Sequence, residues 1–157
     1  MSIERAKAHL AKYNLLDRIY ELEVSSATVA LAAEAIGTEE ARIAKSLSFM
    51  TPDGPILVIA AGDVKVDNKK YKEKFGTKAK MIPFEEVEAL IGHGVGGVCP
   101  FGVNDGVRVY LDESLRRFDV VYPAAGTAAS AVRLTVEELE RASEAICWVD
   151  VTAIREV

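Results

Sequence analysis

The sequence predicts an α+β fold: a compact single domain over residues 1–157, built on a mixed, partly closed β-sheet surrounded by helices. Three observations lead there. The chain has 157 residues, 50% of them hydrophobic and 27% charged, which is the size and composition of one globular unit. Strand and helix patterns follow one another without the regular alternation of a doubly wound parallel sheet. No internal repeat and no low-complexity linker divides the sequence.

Ile3, Ala6, Leu10 and Tyr13 recur at helical spacing, so residues 3–16 form the opening helix, with Ser2 placed to cap it. A short strand follows at 18–24. SSATVALAAEAIG then reads as a helix capped by Ser25 or Ser26 and closed by Gly37, and TEEARIA as a helical piece beginning at Thr38. KSLSFM alternates like a strand, PDGP turns, and ILVIAA is a continuous apolar run suited to a strand buried on both faces. Together they predict a hairpin at the centre of the sheet. Asp67 caps a lysine-rich helix ending at Gly76, AKMI is a brief strand, and PFEEVEALIG is a helix with proline in its first turn. A glycine loop, HGVGGVCPFGVNDG, leads to the strand VRVYL. DESLRRF is a short helix capped by Asp112, DVVYP a strand, and AAGTAAS a second loop. Thr135 and Glu138 have the spacing of a capping box for VEELERAS, and CWVDV is the last strand.

Charge and cysteine usage narrow the function. The opening residues carry Glu4, Arg5, Lys7 and Lys12 and lack the apolar run of a signal peptide or membrane helix, so the expectation is a cytoplasmic protein with no membrane partner. Two cysteines, Cys99 and Cys147, are too few for a disulfide scaffold. Two histidines far apart, His9 and His93, argue against a bound metal, and no cofactor motif is present. The net charge of −5 argues against indiscriminate coating of nucleic acid. Residues 65–80 are the local exception, with seven lysines against Asp67 and Glu73. Lys65, Lys69, Lys70 and Lys72 are the candidate phosphate contacts there, and the alternative is a solvated helix surface.

Lys45 stands at the start of the central strand among Ile43, Ala44, Leu47 and Phe49, where its ammonium would be partly desolvated. That placement suits function, and it equally suits a stem packed on the sheet with its head in solvent. GHGVGGVCPFG carries five glycines and a proline, so its backbone can approach a ligand closely and offer amides to an anion. It has neither GK[ST] nor a GxGxxG spacing after a strand. Cys99 invites a nucleophile reading, but the nearest base, His93, reads equally well as a solvated loop residue, and AAGTAAS is no GxSxG elbow.

RIAKSLSFM, the GxxxP stretch in GGVCPFG, and VYPAAGTAASAVRLTVEELE together resemble the YbaK/EbsC group, the stand-alone branch of the prolyl-tRNA synthetase editing domain. The similarity runs from about Tyr20 to the last strand. It implies a compact mixed α/β fold and hydrolysis of the ester between a wrong amino acid and the terminal ribose of transfer RNA. By position it implies that Lys45 is the essential lysine and that Gly96, Gly97, Val98, Cys99 and Pro100 border the aminoacyl pocket. Tyr20, Ser46, Gly126 and Thr127 are the further substrate contacts. Aminoacyl-tRNA, through its acceptor end, is the implied partner, with a synthetase as a second one. Water would attack the ester, assisted by the ribose hydroxyl, while Lys45 and glycine-loop amides stabilise the substrate. Ala131 stands where the cysteine-specific branch has aspartate, and the histidine loop of the alanine-specific branch is absent. The expected substrate is therefore proline transfer RNA carrying some small, uncharged amino acid. Three alternatives stay open: a non-catalytic transfer RNA or nucleotide-binding module, a hydrolase dependent on the Cys99 thiol, and a protein adaptor.

Overall fold

A computed structural model describes residues 2–22 and 28–155. Its centre is the predicted hairpin. Strands β2 (Ile43–Thr51) and β3 (Gly54–Ala61) pair antiparallel from Ala44↔Ala61 to Thr51↔Gly54. The Thr51 hydroxyl donates to Gly54 O at 2.7 Å and accepts from Asp53 N at 3.2 Å, which fixes the two-residue turn. Around it lie β5 (Arg108–Asp112), β6 (Val120–Pro123), β8 (Leu134–Thr135) and β9 (Cys147–Val149) in a curled six-stranded sheet ordered β8-β6-β2-β3-β5-β9. β3–β5, β5–β9 and β2–β6 are parallel and the other pairs antiparallel, so the sheet is mixed as expected. Two small pairs flank it: β1 (Ile19–Glu21) with β7 (Ser130–Val132), and β4 (Val64–Val66) with β10 (Thr152–Ile154).

Among the described residues, five helices cover the sheet: α1 (Ser2–Ala11), α2 (Val29–Ile36), α3 (Asn68–Phe75), α4 (Val87–Ile91) and α5 (Val136–Ser143). Their ends follow from local chemistry. Thr28 caps α2 by accepting from Leu31 N, Asp67 caps α3 by accepting from Lys70 N, and both helices close on a left-handed glycine, Gly37 and Gly76. The Thr135–Glu138 capping box is fully formed. Ser25 and Ser26, the expected caps of α2, lie outside the described residues, as does the end of the expected first strand, and of the Ser2 side chain nothing is described.

Several expected elements come out shorter. α1 stops at Ala11 because the chain turns through Asn14, whose φ is 61°, and Leu15 N–H folds back onto Leu10 O at 3.1 Å. AKMI reduces to one bridge, Met81 to Phe49. TEEARIA and DESLRRF are 3-10 turns at Glu40–Arg42 and Glu113–Arg117, and PFEEVEALIG is a 3-10 turn followed by the five residues of α4.

Neighbours along a strand point to opposite faces of the sheet. Ala44, Ser46 and Ser48 share a face with their partners Ala61, Ile59 and Leu57, toward the main core with Leu10, Phe101, Leu111 and Leu139. Leu47 and Phe49 turn the other way with Val58 and Ile56, onto Tyr71 of α3. The outer edge of β2 is only partly covered. It meets β6 at Ile43↔Tyr122 and Ala44↔Pro123. Farther along, Ile82 N–H donates to Ser48 O at 3.1 Å and Met50 N–H donates to Lys80 O at 2.8 Å. Between these two contacts, at Ser46, no described strand covers the edge.

Candidate active site

A cavity of about 400 Å³ opens at that uncovered stretch. Val29, Ala32 and Ile36 of α2 with Ile43 wall one face of the sheet; Ser48, Ile82, Val87 and Val98 wall the other. Tyr122, Pro123, Ala124, Ser130 and Ala131 close the end where β6 stops, and Met81, Phe84 and Val95 form an exposed apolar rim. The lining is dominated by small and apolar side chains, so the polar groups among them stand out.

Lys45 is one. Its aliphatic stem leaves β2 on the α2/α3 face and its ammonium donates to Val64 O. Burial holds its pKa below the usual lysine range, the nearby Arg155 cation pushes the same way, and Asp63 partly opposes them. Asp63 is itself tied to Arg117 by paired contacts of 2.6 and 3.0 Å, which hold its carboxylate ionised. Lys45 therefore sits half-buried, with no carboxylate bonded to it among the described residues. Ser46 is the next group. Its hydroxyl is buried and has no hydrogen-bond partner among the described residues.

The two glycine loops meet behind the cavity. A Cβ on Gly97 would lie 2.4 Å from Gly126 C and 2.5 Å from both Gly126 O and Thr127 N, so only glycine permits this backbone contact. The second loop is internally satisfied: the Ser130 hydroxyl accepts from Ala125 N and Thr127 N, both at 3.1 Å, and donates to Thr127 O at 2.9 Å. The first loop is not. Gly97 N–H closes a turn on Gly94 O at 3.0 Å, while the N–H groups of Gly96 and Val98 meet no acceptor among the described residues. Arg5 of α1 clamps this loop from outside, donating to Gly92 O at 3.1 Å and to Asn104 Oδ1 at 3.0 Å.

Of the residues singled out in the sequence, Lys45, Ser46, Gly96 and Val98 line the cavity. Gly97, Gly126 and Thr127 form the loop contact behind it. Tyr20 is exposed on β1 and pairs with Ala131, one residue removed from the wall. Pro100 lines a separate cavity with Arg5, His9 and Glu144. Cys99 is fully buried, with its thiol pushed up to about 12 by that burial. His93 is a correction: it is completely buried, not solvated, because its Nε2 donates to Phe101 O at 2.6 Å inside the loop. Burial also lowers its pKa, which keeps the ring neutral. Ser130, Ser48 and the Arg5–Asn104 clamp were missed. Ser130 had a faint signal, a serine ending a loop of small residues; the clamp, which spans almost a hundred residues, had none.

Lys65 is exposed on β4, and Lys69 and Lys72 are exposed on α3. Lys70 is committed elsewhere, donating to Asp150 Oδ1 at 3.1 Å and Thr152 O at 2.8 Å. Among the described residues, no group of three or more His, Cys, Asp or Glu side chains is placed to hold a metal, and no helix is long and apolar enough to cross a membrane.

The family model for the aminoacyl-tRNA editing domain matches residues 23–142. The chain belongs to that family. An uncharacterized protein of Bacillus subtilis, YwhH, is 49% identical to this editing domain over 152 residues, covering 96% of this chain and 97% of that one. EbsC of Enterococcus faecalis, described as a candidate Cys-tRNA(Pro)/Cys-tRNA(Cys) deacylase, is 28% identical over 109 residues, 68% of this chain and 66% of that one. A crystal structure described as a candidate trans-editing enzyme for prolyl-tRNA synthetase superposes with a TM-score of 0.87 at 32% identity, covering 97% of each chain. The editing-domain fold therefore extends over nearly the whole chain.

Proposed function

We propose that the protein is a trans-acting aminoacyl-tRNA deacylase that hydrolyses the ester of mischarged proline transfer RNA carrying a small, uncharged amino acid. The observation that carries this reading is the cavity at the β2 edge, lined by Lys45, Gly96 and Val98, within an editing-domain fold. Water attacks the ester carbonyl carbon, the bond to the ribose oxygen breaks, and that oxygen takes a proton, releasing the amino acid and transfer RNA with a free hydroxyl. Negative charge grows on the carbonyl oxygen, and the Lys45 cation with the loop N–H groups stabilises it. The substrate's neighbouring ribose hydroxyl assists the attack. The protein itself supplies no nucleophile in this mechanism: the buried Cys99 thiol stays protonated near neutral pH, and neutral His93 spends its N–H on Phe101. The small walls at Ala32, Ala44, Ala124 and Ala131 favour a side chain of modest size. Lys65, Lys69 and Lys72 offer charge to the acceptor stem.

The test is deacylation of proline transfer RNA charged with alanine, serine, cysteine or 2-aminobutyrate, by wild type and Lys45→Ala. Turnover of one ester, lost in the variant, supports the reading. Binding of transfer RNA without turnover of any ester would replace it with a non-catalytic binding module.

A further inference from the structure

The uncovered stretch of β2 is chemically specific. Met50 N–H and Ser48 C=O both point to the outer edge, and backbone direction alternates along a strand, so Ser46 turns its N–H and C=O to that same edge. β6 ends its pairing at Ala44, and the 80–82 segment begins its own at Ser48. The opening between them is about 13 Å long at the usual rise per residue. Within it Ser46 presents three polar groups with no partner among the described residues: its N–H, its C=O and its buried hydroxyl. Buried polar groups are ordinarily satisfied; the Ser46 hydroxyl is buried and is not, and Ser46 lines a cavity whose other walls are mostly apolar.

We infer that Ser46 recognises the α-amino acid moiety of the substrate by pairing with it as though it were a one-residue strand. The Ser46 C=O and hydroxyl accept from the α-ammonium, and the Ser46 N–H donates to the acyl carbonyl oxygen. This is the two-bond exchange of an antiparallel pair, made here with a single residue. It rests on the deacylase reading for the identity of the ligand and deepens it: the site reads the feature common to all aminoacyl groups, while the small walls read the side chain. A des-amino acyl group of the same size would fill the cavity and leave the Ser46 carbonyl unpaired.

The probes are non-hydrolysable 3′-alanylamino-3′-deoxyadenosine and its propionyl counterpart, which differs only in lacking the α-amino group. Binding to the full chain is followed by NMR titration with the Ser46 amide as one reporter, for wild type and Ser46→Ala. The expected result is about tenfold weaker binding of the propionyl compound, since hydrogen bonds to a charged donor are the strong ones. The Ser46 amide resonance moves with the alanyl compound, and Ser46→Ala weakens the alanyl compound alone, by about threefold. Equal affinity for the two compounds, binding of neither, or an unmoved Ser46 amide would overturn the inference. Selective binding of the alanyl compound together with failure of the charged transfer RNA panel would sink the deacylase reading and leave the Ser46 site standing.

Discussion

In the proposed mechanism the chemistry rests on Lys45, a side chain whose charge is costly to keep because it is partly buried. Lys45→Ala is expected to lower deacylation kcat/KM by about a hundredfold or more, with the urea unfolding midpoint near that of wild type because the chain's large core clusters do not depend on the ammonium. The sign of the pH effect follows from the lowered pKa. In the proposed mechanism the charged form is the working form, so activity should fall as pH rises through a value below the ordinary 10.5 of lysine. That alkaline limb is measured after subtracting spontaneous ester hydrolysis, and whatever activity Lys45→Arg retains should lack it. The two thiols give a contrasting pair. Cys147 is exposed and Cys99 buried, so an aromatic disulfide reagent should titrate one thiol in the native protein and the second only on unfolding. Cys99→Ala should keep deacylation within about threefold of wild type, an outcome incompatible with a thiol nucleophile.

At the scale of elements, the loop contact is the most demanding feature. Gly97→Ala places a methyl group against the Gly126 backbone and should cost about 1 to 3 kcal/mol in a denaturant titration, with activity falling further than stability because Gly96 and Val98 move with it. Elements whose rules are local were legible from sequence: the Pro52–Asp53 hairpin, the Asp67 and Thr135 caps, and the left-handed Gly37 and Gly76 all follow from chemistry within a few residues. What depends on distant partners was not. The strands Val64–Val66 and Thr152–Ile154 are short and carry no pattern of their own; each exists because the other is there. His93 shows the same limit, since a loop histidine looks solvated until its acceptor, Phe101 O, is in place. Lys45, Gly96 and Val98 could be singled out from sequence and do line the cavity, but the opening at Ser46 arises where two strand-like segments stop short of each other, and no local pattern records it.

The whole molecule is held at its C-terminal side by one buried carboxylate. Asp112 accepts from Ser114 N at 2.9 Å, Val151 N at 2.9 Å and the Thr152 hydroxyl at 2.7 Å, joining β5 to the pair β4–β10. Asp112→Ala should cost about 2 to 4 kcal/mol of stability, because it leaves buried donors unpaired, and thermal unfolding would report it. Long-range electrostatics can be apportioned similarly. Replacing Lys65, Lys69 and Lys72 with alanine should weaken transfer RNA binding and reduce the slope of log affinity against log salt by about 2 to 3, while Lys70→Ala, which breaks contacts to Asp150 and Thr152, should act mainly on stability. An unchanged slope in the triple variant would mark the patch as solvated surface. The meeting of Gly97 with Gly126 has a bearing on how this molecule can change over time. Most tight contacts drift, because a larger residue on one side is offset by a smaller one on the other. Here both sides are already main chain, nothing smaller than glycine exists, and divergence must pass around these two loops rather than through them.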